Sequence, residues 1–342
     1  MHPLANQSFL DNLESSASVG EKTGWVPHHF RLNKSFMPSY IKLHSYGEYI
    51  FDWEWAEFYE RNNISYYPKL LHAIPFAPVN APKIYGNEND FLPLIERSFE
   101  FYQTHDLSSE HYLFINDQEE ENLQKVGFET QLTHQYHFHN KFDCFNHYLE
   151  ALKKNKRKTI TKERRAIANS DLIIEKYSKE TLSDDMLERF YVFYLSTITK
   201  KKSYPYLTKE FFTSLDKNHT LLISAKKSDQ TIAMALFFYN AQALYGRSWG
   251  ILEEFEGQYP YLHFELCYYQ GMEFCMENKL QLFEAGAQGE HKLIRGFEPV
   301  IIKSAHHIKI PQCFDIIKKD IQIRNKKTLE NIEILKSYLP YK

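Results

Sequence analysis

One stretch constrains this chain more than any other: Phe283-Glu284-Ala285-Gly286-Ala287-Gln288-Gly289-Glu290-His291-Lys292-Leu293-Ile294-Arg295-Gly296-Phe297. It opens in strand alternation. Leu282, Glu284 and Gly286 are expected on one face, Phe283 and Ala285 on the other. A carboxylate midway along an interior strand must be paired, protonated or in use, because a bare buried charge is too costly. The chain then passes into small residues, which let a backbone or a ligand approach closely. It ends in three consecutive ionisable side chains, Glu290, His291 and Lys292, followed by Arg295. That combination marks a site.

The totals bound what can surround it. A chain of 342 residues exceeds one usual domain, so two are expected. A net charge of -3 supplies no global field for nucleic acid. Aromatic residues at 16% suit thick cores or a cleft lined by rings. The cysteines Cys144, Cys267, Cys275 and Cys313 have no CxxC spacing, and reduced thiols in a cytoplasmic protein are the simplest expectation. The first residues lack a signal-peptide pattern, and no apolar run reaches the length of a membrane span.

Along the chain, strands and helices alternate up to about Asn140, an α/β pattern. On the strand expected from Tyr40, the residues Lys42, His44, Tyr46 and Glu48 share one face, either solvated or one wall of a cleft. A second unit is expected from 141 to 342, opening with a long basic helix over 145–169. Between Lys153 and Arg165 that helix carries Lys153, Lys154, Lys156, Arg157, Lys158, Lys162, Arg164 and Arg165 against the single Glu163. Three strands follow, then a helix from Tyr261 to Glu277, the strand of the opening stretch, a late strand and a last helix. This is the element order of an acetyltransferase-type (GNAT) domain. The expected fold is therefore α/β (α+β), with two tandem GNAT-like (acyl-CoA N-acyltransferase) domains at 1–140 and 141–342. The duplication rests on element order, since no sequence repeat is evident.

Several segments resemble a bacterial family. They are Gln135-Tyr136-His137-Phe138-His139-Asn140, Lys156-Arg157-Lys158 with Glu163-Arg164-Arg165, Tyr206-Leu207-Thr208, Leu244 to Gly250, Leu262 to Gln270, and Glu284 to Lys292. His44 to Tyr49 and Tyr67-Pro68-Lys69-Leu70 resemble it too. The family is the FemAB-like one, labelled peptidoglycan biosynthesis/recognition, and the resemblance covers nearly the whole chain. It implies kinship in fold with Fem aminoacyl ligases and GNAT acyltransferases. No catalytic residue is carried over from it.

Acyl transfer to an amine needs a donor held close, a base for the amine proton and hydrogen-bond donors for the oxyanion. Glu284, Glu290 and His291 are the expected proton-handling residues. Glu284 reads equally as a buried carboxylate paired with Arg247 or Lys292. Arg247, Lys292 and Arg295 are expected to bind anionic groups, with Trp249, His263, Glu265 and Gln288 completing the substrate-binding set. Tyr245, Arg247 and Trp249 are expected on one strand face. His263 more often proves a satisfied interior histidine, and Cys267 a packed thiol. No metal site is expected, because no third ligand sits at a useful spacing. After Arg247-Ser248-Trp249-Gly250 the loop carries Glu253, Glu254 and Glu256, which would repel a CoA pyrophosphate unless cations intervene. Aminoacyl-tRNA or another activated acyl donor is therefore more compatible than ordinary CoA binding; no cofactor is assigned, and aminoacyl-tRNA and acyl-CoA both stay open as donor substrates. The basic helix reads as a solvated face or as a footprint for tRNA phosphates or anionic lipid. The leading reading is a Fem-like N-acyltransferase or aminoacyltransferase acting on an amine acceptor, in cell-wall metabolism by resemblance. The alternatives are a non-catalytic peptidoglycan- or peptide-recognition module and a small-molecule N-acetyltransferase using acetyl-CoA.

Overall fold

A computed structural model describes residues 2–286 and 289–342. Its contacts group the chain into two compact units. The first comprises Leu4–His134 with Ile301–Glu333, and the second Gln135–Val300 with Ile334–Lys342 and the residues before Leu4. Residues 301–333 thus pack with the N-terminal part, where the sequence suggested one C-terminal unit from 141 to 342. The reason lies in strand pairing. His306 stands opposite His111 and Ala305 opposite Tyr112, so the late strand completes the sheet of the first unit.

In that unit Trp25–Pro27, Tyr40–Lys42, Lys69–His72, Ser109–Ile115 and the late strand lie in this order. The Lys69–His72 and Ser109–Ile115 pair is parallel and its neighbours are antiparallel. Phe91–Thr104 covers the sheet through Leu94, Ile95 and Tyr102, all buried. Asn116 starts the helix Asp117–Val126 with a reciprocal capping box, and left-handed Gly127 ends it.

The second unit holds the sheet order Gln135–His139 (the end of a longer strand), Leu282–Glu284, Ala243–Ile251, Gln230–Tyr239, Thr220–Lys227 and Leu172–Ser178. Leu282–Glu284 pairs in parallel with Ala243–Tyr245 and antiparallel with His137–His139. Leu221, Ile223, Ala233, Ala235, Phe237, Leu244 and Phe283 form the core face, against Leu262, Leu266 and Met272. The helix Asp184–Lys200 approaches Gly250 so closely that a Cβ there would overlap the Phe193 carbonyl oxygen.

The expected basic helix 145–169 is two helices, Phe145–Ala151 and Lys154–Ala168. Leu152 is fully buried and bridges to Tyr341, and the Lys153 amide donates to the Pro340 carbonyl at 2.8 Å. Pairing with the chain's last residues thus takes up backbone groups that a continuous helix would need. No helix among the described residues is long and apolar enough to cross a membrane.

Candidate functional site

The parallel pair in the second unit ends at Tyr245 and Glu284, but the first of its strands continues to Ile251. A cleft of about 630 Å³ flanks that continuation, which keeps its pairing with Gln230–Tyr239 on the other side. Trp249, Ile251 and His263 line it, with Ser196, Thr197 and Lys200 from the helix Asp184–Lys200. The Thr197 hydroxyl donates to the Trp249 carbonyl at 2.6 Å, fixing helix against strand.

A bulge decides which side chains reach this cleft. Leu236 pairs with Ser248 and Phe237 with Gly246, so Arg247 is an extra residue with no opposite number. The alternation slips by one at that point. Trp249 therefore joins the core face with Leu244 and Gly246, while Tyr245 faces the other way. The expected shared face of Tyr245, Arg247 and Trp249 does not exist.

The helix that follows carries a second irregularity. It begins at Leu262–Phe264, widens into a π-helical turn over Glu265–Tyr269 and resumes as α over Gln270–Glu277. Such turns add a residue and rotate the side chains before them, and they recur at functional sites. Of the rings on this helix, His263 lines the cleft. His263 lies edge-on to Trp249 at 4.7 Å between centroids, and 6.2 Å from His291. His291 is exposed and shares a 2.7 Å hydrogen bond with the Tyr268 hydroxyl. Burial, then the charges of His291 and Arg295, hold His263 down to about 4, so its imidazole is neutral at physiological pH. Burial and the charges of Arg295 and Lys292 also lower His291.

Lys292 is 1% exposed, and its ammonium donates to the Gly286 carbonyl at 2.6 Å. Burial pulls its pKa down to about 8. Gly286 and Gly289 have φ of +85° and +115°, a region open to glycine and strained for other residues. Cys267 is a packed thiol whose pKa burial pushes far up.

Glu284 is 5% exposed and sits between His137 and Tyr245 in register. Phe283 packs into the core, so alternation aims Glu284 at the opposite face, with His137 and Tyr245. Burial holds His137 down to about 3, and Tyr245 is raised by burial and by Glu284. The expected trio of proton-handling residues is thus divided. Burial and then the charge of exposed Glu290 raise Tyr136, which faces the core side, whereas Glu284 faces away from it.

Two expected substrate contacts are internal instead. Arg295 is 1% exposed. It donates to Glu163 at 2.7 Å, to the Tyr269 hydroxyl at 2.9 Å and to the His291 carbonyl at 2.7 Å, with Phe264 stacked 3.6 Å from its guanidinium. Its donors are engaged within the protein, so it is a strut rather than an anion clamp. Its partner is the single glutamate of the basic run. Glu265 is likewise buried, bound by Arg164 at 3.0 Å and by Gln270 at 2.7 Å. Gln288 lies outside the described residues. Among the described residues, no three His, Cys, Asp or Glu side chains gather to hold a metal ion.

The acidic loop is tempered as well. Glu253 and Glu256 border the cleft, and Lys200 forms an ion pair with Glu256. The residues that sequence reasoning missed are Ser196, Thr197 and Lys200. They stand on an amphipathic helix whose pattern reads only as core-facing. Of the basic run, Lys153, Lys154, Lys158, Lys162 and Arg165 are exposed, and among the described residues none has a carboxylate partner within 4.0 Å.

Comparison with known proteins fits this architecture. A family profile described as peptidoglycan biosynthesis/recognition, FemAB-like, matches residues 1–342. No curated protein matches the chain. Among solved structures, FemX superposes with a TM-score of 0.56 at 10% identity, over 93% of this chain and 94% of its own. L-PGS from Bacillus licheniformis gives 0.56 at 9% identity, over 94% and 98%. A conserved protein of unknown function from Bacteroides thetaiotaomicron gives 0.51 at 9% identity, over 87% and 88%. At these identities the likeness is one of fold.

Proposed function

Since this chain belongs to the FemAB-like family, we propose that it transfers an acyl or aminoacyl group onto an amine acceptor in cell-wall chemistry. The observation that carries the reading is the cleft where Ala243–Ile251 outruns Leu282–Glu284, lined by His263, with the His291 ring 6.2 Å from that of His263. Parallel strands that part leave backbone groups and a gap, and a carbonyl can be held there.

In the proposed reaction the amine nitrogen attacks the acyl carbonyl carbon. The new C–N bond forms, the bond to the donor oxygen breaks, and the amine proton passes to a base. His291 is the proposed base. It is exposed and its lowered pKa keeps it neutral near pH 7, while the Tyr268 hydrogen bond orients the ring. Lys292 brings the buried positive charge for the oxyanion. Trp249 and His263 form the wall against which the substrate rests, and Glu290 and Arg247 are proposed to stand at its rim. Glu284, on the other face, is proposed to hold the parting of the strands rather than take the proton. Aminoacyl-tRNA is the proposed donor, because the exposed cations of the Lys154–Ala168 helix lack carboxylate neighbours among the described residues.

The test is direct. The purified protein is incubated with an amine-bearing peptide and either charged tRNA or an acyl-CoA, and product mass is followed. Transfer from tRNA, reduced about a hundredfold or more by His291→Gln while substrate binding persists, is the expected result. Transfer from acyl-CoA instead would reassign the donor. Saturable peptide binding with no transfer from either donor would replace the enzyme with a recognition module.

A further inference from the structure

The first unit has a cleft of its own, of about 630 Å³, between the helix Trp53–Arg61 and the segment that follows it. Its aromatic walls are Trp53, Tyr66 and Tyr67, its apolar patches Ala56 and Ile64, and its charged groups Glu57 and Glu60. Among the described residues, no lysine, arginine or histidine lines it.

The rings are held from beneath. The Tyr66 hydroxyl donates to Asp52 at 2.5 Å, and the Tyr67 hydroxyl hydrogen-bonds Ser45 at 2.8 Å. Asp52 and Ser45 belong to a buried cluster around Lys69, whose ammonium reaches Asp52 at 2.5 Å, Ser45 at 2.8 Å and Glu48 at 2.9 Å. Both phenol hydroxyls therefore turn inward, which leaves ring carbon for the cleft. Two carboxylates offset the Lys69 charge behind the rings. Trp53 is fixed from outside, stacked with Phe51 at 5.8 Å and against Tyr46 at 5.0 Å.

Aromatic carbon attracts a cation, and more strongly as water is displaced. Carboxylates at the same mouth add charge-assisted hydrogen bonds. Glu60 has no ion-pair partner among the described residues, and Glu57 is held only by Arg61 at 3.0 Å in an exposed i,i+4 contact. Such a contact is worth a few tenths of a kcal/mol, so an incoming cation can displace it.

We propose that this cleft binds an alkylammonium group, its carbon chain lying along Trp53, Ala56 and Ile64 and its ammonium seated between Glu57, Glu60 and the tyrosine rings. The site belongs to the first unit and stands independently of the transferase reading, so either can fail alone. The group can come from a lysine-type side chain of a peptide or from a free diamine.

Calorimetric titration of the full chain at low salt tests the idea, with 1,5-diaminopentane and Nα-acetyl-lysine amide as probes and 1,5-pentanediol as the uncharged control. At least one amine should bind saturably and the diol should not. Glu57→Gln with Glu60→Gln should weaken binding by about tenfold or more, and Trp53→Ala similarly. Arg61→Ala should tighten it by freeing Glu57. Thermal melting of each variant checks that it folds. Tighter binding of the capped lysine assigns a peptide side chain, and tighter binding of the diamine a free polyamine. The proposal falls if neither amine binds, if the diol binds as well as they do, or if the double glutamine variant binds unchanged.

Discussion

At the scale of single residues, Arg295 and Glu163 show how burial decides a role. A guanidinium enclosed with a carboxylate, a phenol and a carbonyl is a structural member, and removing it strands the Glu163 charge. Arg295→Met should cost about 3–5 kcal/mol in urea unfolding, and adding Glu163→Leu should restore a large part of it. Lys292 makes a different prediction. Its folded pKa of about 8 lies below the ordinary lysine value of 10.5, so the unfolded chain binds more protons between those values. Its contribution to stability therefore rises with pH across that window. Lys42, held down to about 6, adds a rise that begins lower. Lys292→Met should make the slope of stability against pH shallower between about 8 and 10.5 and leave it unchanged below about 8, where of these two lysines Lys42 alone contributes. If the ammonium stabilises the oxyanion, transfer should also decline as pH climbs through about 8.

At the scale of elements, two irregularities place the cleft's side chains. Deleting one residue from the π-helical turn Glu265–Tyr269 should convert it to regular helix, turning Leu262–Phe264 by about 100° relative to the rest. Helix content by circular dichroism should hold while His263 leaves Trp249 and transfer is lost. The basic helix offers a charge test. Lys154→Glu with Lys158→Glu and Lys162→Glu should weaken tRNA binding by about tenfold or more and flatten its salt dependence, with little change in melting temperature. Much of this level was legible in the sequence. The strand from Ala243, the following helix and the strand at Leu282–Glu284 all appear there. The bulge at Arg247 did not, because Tyr245, Arg247 and Trp249 read as clean alternation whether or not a residue is unpaired. Only the facing residues Leu236 and Phe237 reveal the slip. Nor did the sequence reveal the partner of Arg295, 132 residues away.

At the scale of the molecule, the duplicated α/β pattern was legible and the ownership of the late strand was not. Its alternation identifies a strand but says nothing of which neighbour it joins. The pairing of residues 303–308 with Ser109–Ile115 means that 1–140 alone lacks a strand. A fragment of those residues should be poorly folded by NMR and prone to associate along the Ser109–Ile115 edge. A fragment ending at 140 that gives a dispersed spectrum and stays monomeric would count against this division of the chain.

During synthesis the same feature imposes an order of events. The ribosome releases residues 4–134 long before it makes 301–308, and every residue of the second unit up to Val300 emerges in between. The unit translated first must therefore wait with an open flank through most of elongation, and only the closing segment 334–342 of the second unit follows its completion. For this protein, the slowest and most chaperone-dependent moment should fall near the end of translation rather than at its midpoint.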